Sequence, residues 1–296
     1  MRVFVTGATG FIGKAIVQEL LSSGHHVLGL ARSEAAQKNL IAAGAAVHPG
    51  DLEDLASLQS GAAQADGVIH AGFIHDFTRF NEVCQIDYKA IKAMGAALAG
   101  TDRPLIVTSG TALIDPGKMA TEDTPVPANP SWPRISEKAA DELSAAGVHT
   151  AIVRLSPVVH GDGDQHGFIP ILFGIARQKG LAAFVGEGQN RWNAVHRLDA
   201  AHLFRLALEK SKAGARYHGS TEESITLKSI AEQIGRQLSI PTKSIDKKDA
   251  EAHFGWFAQM ALADSPASSE ITQRSLEWHP VHPTLFQDIE NGIYNQ

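Results

Sequence analysis

Between the apolar run RVFV (2–5) and an amphipathic stretch that begins at Phe11 stand three glycines, spaced Gly7-x-x-Gly10-x-x-Gly13. Their place, directly after a strand and directly before a helix, constrains the fold more than any other feature of the chain. Glycines there permit a tight turn, let backbone approach a pyrophosphate and let helix pack closely on strand, while the first helical amides face an anion. Ile12, Ile16 and Leu20 follow at i, i+4 and i+8, one face of a helix. The alternation then repeats. HVLGL (26–30), AAV (45–47), GVIH (67–70), PLIVT (104–108) and HTAIVRL (149–155) read as buried strands, separated by helix-like segments at 33–43, 53–60, 79–99 and 133–146. Such a βαβ series calls for a parallel sheet with helices on both faces.

After Leu155 the rhythm changes to turn-rich SPVVHGDGDQHG (156–167), a helix near 169–178 and Gly-rich FVGEGQN (184–190). A strand-like NAV (193–195) leads into a helix whose apolar face is Leu203, Phe204, Ala207 and Leu208, and helices are predicted near 226–238, 247–261 and 284–290 with little strand signal. The sequence therefore predicts an α/β chain: a Rossmann-type, doubly wound parallel sheet over residues 1–158, and a smaller, mostly helical substrate-binding lobe over 159–296, with about 193–220 returning to the first domain.

The chain has 296 residues, 44% hydrophobic and 20% charged, enough to bury a sizeable core. A net charge of −6 argues against a nucleic-acid binder working through a broad basic surface, so the expected partner is a small molecule. Cys84 is the only cysteine, so no intrachain disulfide forms and a cytoplasmic setting is expected. The apolar run Val3–Val5 ends at once in Thr6 and Gly7, unlike a signal peptide, and no stretch has the length to span a bilayer, so no membrane partner is expected.

The second strand addresses which dinucleotide the glycine turn would hold. A carboxylate about 20 residues beyond the last glycine holds a ribose 2′-hydroxyl, but here the strand ends in Ala31-Arg32-Ser33. Arg32 would pair with a 2′-phosphate and Ser33 would add a hydrogen bond, favouring NADP(H) over NAD(H). The competing reading makes Arg32 an ordinary solvated residue.

These segments together resemble the short-chain dehydrogenase/reductases, and within them the extended or atypical branch, the NAD-dependent epimerase/dehydratases. Gly7-Ala-Thr-Gly-Phe-Ile-Gly13 is similar to that branch's opening motif, Gly50-Asp51-Leu52 to the pair lining the adenine, and Val68-Ile69-His70-Ala71-Gly72 to the segment flanking the nicotinamide ribose. Arg154-Leu155-Ser156-Pro157-Val158-Val159-His160-Gly161 resembles the loop that carries the nicotinamide amide, and Val195-His196-Arg197-Leu198-Asp199-Ala200-Ala201 a late strand-to-helix segment. The resemblance covers nearly the whole chain and implies cofactor contacts from Gly7, Thr9, Gly10, Phe11, Ile12, Gly13, Arg32, Ser33, Asp51, Leu52, His70, Ala71, Gly72, Lys138, Pro157, Val158 and Val159. It also implies dimers through the helix before the fifth strand and the helix bearing Lys138.

In that family a serine or threonine ending the fifth strand, followed by Tyr-x-x-x-Lys, carries the chemistry. Thr108-Ser109-Gly110-Thr111 ends the fifth strand here, Ser109 being preferred over Thr111 as the matching hydroxyl, and Lys138 follows at a fitting distance. By resemblance Lys138 faces the cofactor ribose. The tyrosine position, four before Lys138, holds Arg134. A guanidinium cannot replace a phenol as proton donor and acceptor, but it can polarise a substrate oxygen or bind a carboxylate. The competing reading makes Arg134 an exposed helical residue in a degenerate site.

Tyr88-Lys89-Ala90-Ile91-Lys92 spells the motif but precedes the fifth strand, which makes it a decoy. Candidates for a substitute proton donor are Ser109 or Thr111 relaying from water, or His75, His160 or His166. Asp162, Asp164, His160 and His166 crowd one loop, yet Gly161 and Gly163 between them fit a turn, and no metal is expected. Trp132, Phe168, Trp192, Phe254 and Trp256 either wall a pocket or fill a core. Two functions follow: an NADP(H)-dependent oxidoreductase of a small carbonyl or alcohol, or a non-catalytic NAD(P) sensor resembling the NmrA-like branch. An epimerase or dehydratase with tightly held NAD is a third.

Overall fold

The computed structural model describes residues 1–114, 117–127 and 133–295. In chain order the first unit runs β1 (Arg2–Thr6), α1 (Phe11–Ser22), β2 (His26–Ala31), α2 (Glu34–Ala42), β3 (Ala46–Pro49), α3 (Leu55–Ala63), β4 (Gly67–His70), α4 (Phe80–Leu98), β5 (Leu105–Gly110), α5 (Ser136–Ala145) and β6 (Thr150–Leu155). The chain continues as β7 (Val158–His160), α6 (Phe168–Lys179), β8 (Ala182–Val185), β9 (Arg191–His196), α7 (Arg197–Lys210), β10 (Arg216–Gly219), β11 (Glu222–Thr226), α8 (Leu227–Leu238) and β12 (Thr242–Ile245). Short helices α9 (Ala250–Phe254), α10 (Ala258–Leu262), α11 (Glu270–Leu276) and α12 (Leu285–Glu290) complete it.

The main sheet has the order β3-β2-β1-β4-β5-β6-β10, and every pairing is parallel. Strand order reverses between β1 and β4, the switch point beyond whose carboxyl ends ligands bind in such sheets. Side chains alternate across β1: Val3 and Val5 pack with Ile16, Leu20, Leu203 and Phe204 under α1 and α7, while Phe4 joins Leu58, Met94 and Leu143 under α3, α4 and α5. With both faces covered, the central strands carry near-continuous apolar runs. The chain after β9 returns here, α7 against α1 and β10 on the β6 edge.

The remaining chain forms a second core around Trp192, Phe173, Phe257 and Ile230. It contains more strand than the sequence predicts, with a three-stranded β11-β9-β7 sheet and a β12-β8 pair set among the helices α6, α8 and α9 to α12. These strands are three to six residues long and lie in turn-rich sequence, where alternation has too few positions to register. The single helix expected over 247–261 is also broken, because Gly255 takes φ 57° between α9 and α10. Trp192 is fully buried against Phe168 and Phe257 and Phe254 is buried in the same core, whereas Trp256 is exposed; Trp132 lies outside the described residues. Among the described residues no helix is long and apolar enough to cross a membrane.

Candidate active site

The glycine turn lies at the switch point and closes on its neighbours. Gly7 has φ 66°, and a Cβ on it would lie 2.6 Å from the Ala71 carbonyl oxygen; one on Gly13 would lie 1.9 Å from the Gly7 oxygen. The Gly10 amide donates to that oxygen at 2.9 Å, and Gly10 caps α1 with no side-chain cap and no acid in the first turn. A helix start of this kind, with open amides and no carboxylate, fits an anion. Thr9, Phe11 and Ile12 flank it, half-buried. Gly72 packs against Gly7 and donates its amide to Thr6 Oγ1 at 3.1 Å, with Leu52 against the same glycine. Asp51 Oδ1 accepts the Glu53 and Asp54 amides and so shapes the turn after β3. Arg32 and Ser33 are exposed beyond β2, and Ser33 Oγ caps α2 by accepting from Ala36. Pro157 and Val159 are half-buried, and Val158 points into the second core.

The His70 ring is directed into the fold. Its side chain is 1% exposed, with Nδ1 at 2.8 Å from Thr6 Oγ1 and Nε2 at 3.1 Å from Asp87 Oδ1, so the ring is spent inside the fold. From there a buried chain runs to the opposite edge of the cleft. Ser136 Oγ donates to Asp87 Oδ2, Arg134 Nε donates to Ser136 Oγ at 3.0 Å, and Arg134 Nη2 donates to the Thr108 carbonyl at 3.1 Å. Burial pushes the Asp87 carboxyl up, but His70, Arg134 and Ser136 outweigh it and hold it below its ordinary value. The Arg134 guanidinium also lies 4.5 Å from the Phe73 ring centre. Arg134 is therefore braced at the end of β5, half-buried, and not a free surface side chain.

Ser109 and Lys138 do not meet. Ser109 is buried and donates to Glu137 Oε1 at 2.8 Å. Arg154 grips the same carboxylate through Nε and Nη2, both at 2.9 Å, and Arg216 adds a contact at 3.1 Å. Burial raises the Glu137 pKa, and Arg154, Ser109 and Arg216 together overcome this and hold it low. Lys138 is exposed, while Ser136, Glu137, Ala139, Ala140 and Leu143 are the buried face of α5. At about 100° per residue, Lys138 stands about 160° from Ala140, on the outward side. Lys138 thus lies off the face of α5 that packs on the sheet. The inward residue is Glu137, which the sequence reading missed, although the spacing of Ala140 and Leu143 fixes which side of the helix faces the sheet.

The other candidates separate in the same way. Thr111 Oγ1 is buried on the Leu155 carbonyl (3.3 Å) and Asn193 Oδ1 (3.1 Å). His160 is fully buried on Asp288 at 2.6 Å, which removes it as a proton donor to substrate. His75 and His166 are exposed on the surface of the chain; desolvation first, then the Arg134 charge, with a smaller part from His166, keep the His75 pKa below its ordinary value. Tyr88 lies on α4 and donates to Glu142 on α5, away from the cleft. In the loop suspected of metal-ligand content, Asp164 accepts from the Gly167 amide and the Tyr294 hydroxyl, apart from exposed Asp162. His196, Asp199 and His282 place donor atoms near one another, but the rings stack at 5.0 Å and Asp199 accepts from the Val281 and His282 amides and from the His282 ring.

Comparison with known proteins agrees with this frame. The model of the NAD dependent epimerase/dehydratase family matches residues 3–219. An uncharacterized protein of Schizosaccharomyces pombe is 48% identical, covering 99% of this chain and 100% of its own. The sterol-4-alpha-carboxylate 3-dehydrogenase, decarboxylating, of Dictyostelium discoideum is 28% identical over 82% of this chain and 78% of its own. Among solved structures, DesIV (dTDP-glucose 4,6-dehydratase) of Streptomyces venezuelae, with NAD and TYD bound, shares the fold with a TM-score of 0.78, 17% identity, and coverage of 99% of this chain and 96% of that one.

Proposed function

Because the chain belongs to the NAD-dependent epimerase/dehydratase family, we propose that it is an NADP(H)-dependent oxidoreductase of a small carbonyl or alcohol, in which Arg134 holds the substrate oxygen that a phenol holds elsewhere. One observation carries this: an arginine braced by Ser136, Thr108 and Phe73 stands at the end of β5, in the sheet whose switch point carries the closed Gly7–Gly13 turn. The amides at the start of α1 hold the diphosphate, and Arg32 with Ser33 takes a 2′-phosphate; NAD(H) is the second choice. The bound nicotinamide supplies or accepts the hydride. Arg134 polarises the substrate oxygen or anchors a neighbouring carboxylate, a role in keeping with the name of the Dictyostelium relative, which joins a carboxylate to a site of oxidation. His75, whose lowered pKa leaves its ring neutral, accepts the proton released by an alcohol substrate as the hydride passes to the oxidised nicotinamide. A cytoplasmic setting suits the single, buried Cys84.

A second reading, a dinucleotide sensor without turnover, draws on a different observation: the family's serine is spent on Glu137, itself locked by two arginines. NADPH consumption across aldehydes, ketones, 3-oxo carboxylates and nucleotide sugars separates the two. Turnover with any of these supports the oxidoreductase. Tight binding with silence throughout supports the sensor, and failure to bind either pyridine nucleotide overturns both.

A further inference from the structure

Arg197 opens α7, and its head lies over the start of α1, where its guanidinium carbon is 5.4 Å from the ring centre of Phe11, the first residue of that helix. The stem runs along the turn after β7. A Cβ on Gly161, at φ 131°, would lie 3.2 Å from Arg197 Cγ, and one on Gly163 would lie 3.7 Å from Nη1, so glycines clear its path. Nε is buried with no hydrogen-bond partner. Arg197 has no hydrogen bond or ion pair among the described residues, in a chain whose 32 acids outnumber its 26 Lys and Arg. The acid two residues on, Asp199, is engaged by the Val281 and His282 amides and the His282 ring. A cation at the first position of a helix also opposes that helix's dipole. A half-buried guanidinium held this way is arranged for an anion at the glycine turn.

We propose that Arg197 clamps the diphosphate of the dinucleotide against the start of α1, so that the second core's connection to the sheet contributes directly to cofactor binding. This rests on the dinucleotide reading above. It divides the cofactor's anionic groups between two arginines, with Arg32 at the 2′-phosphate and Arg197 at the diphosphate. Calorimetry of wild type and Arg197→Met with NADP+, ADP-ribose and adenosine 2′-monophosphate tests the division. The variant should bind NADP+ and ADP-ribose about 10- to 100-fold more weakly, with adenosine 2′-monophosphate and the thermal midpoint unchanged. Arg197→Lys, which keeps charge but not the planar fork, should fall between the two and serves where the methionine variant does not fold. Unchanged NADP+ affinity, or a loss shared equally by adenosine 2′-monophosphate, overturns the clamp alone. If wild type binds none of the three, the dinucleotide reading fails and the clamp with it.

Discussion

The glycine turn beyond the carboxyl end of β1 and the β5–α5 edge lie on the same end of the sheet but are built from different materials. The turn is backbone: its function is set by where a Cβ cannot be, since the clearances at Gly7 and Gly13 exclude one. The β5–α5 edge is side chain: Glu137 between Arg154 and Arg216, and Arg134 between Ser136 and Thr108. A backbone site tolerates wide change around it as long as the glycines stay. A side-chain site can be rewritten residue by residue while the strand and helix that carry it keep their places.

The largest effect should come from Glu137→Ala, which leaves Arg154 buried beside nothing of opposite charge. A stability loss of about 3–5 kcal/mol is expected in chemical denaturation. The folded Glu137 pKa lies below its ordinary 4.5, so its contribution is present above that value and fades as pH falls through the folded value. The gap between wild type and variant should therefore narrow in acid. A constant gap, or a variant as stable as wild type, would break the picture of a side-chain lattice at this edge.

Gly13→Ala tests the other region. With the added carbon 1.9 Å from backbone oxygen the turn must open, and NADPH affinity should fall by about 100-fold or more. Unaltered affinity would show that the turn does not hold the cofactor. Arg134→Met should lower turnover by about 100-fold with little change in cofactor affinity, and Arg134→Lys should not restore it. An equal loss of NADPH binding would instead make Arg134 part of the cradle, blurring the division.

The smallest effect is the most pointed. Lys138→Met should leave stability within about 0.5 kcal/mol of wild type and leave NADPH affinity and turnover unchanged, because the lysine is exposed on the outer side of α5. Loss of activity would return Lys138 to the role the sequence spacing assigned it.

The same contrast explains what could be read from sequence. GVIH (67–70) coincides with β4, and RVFV and HVLGL lie one residue short of β1 and β2, because buried parallel strands are written as apolar runs. The glycine triad was legible because its spacing is the mechanism. At α5 the motif depended on register, and a slip of one residue turns a helix position by about 100°, exchanging Glu137 for Lys138. The partners of the His70 ring, Thr6 and Asp87, are not legible in sequence because they come from β1 and α4, joined only by the fold. Short β7, β8, β11 and β12 had too few residues to show a period.

That the glycine turn holds the dinucleotide, and that this hold does not depend on Lys138, is the proposal to be checked by titration calorimetry of the wild-type protein with NADPH and with NADP+. Saturable heat at one site per chain, undiminished in Lys138→Met and lost in Gly13→Ala, is the predicted result. A flat titration with both nucleotides, or heat that survives Gly13→Ala and disappears with Lys138→Met, would contradict it.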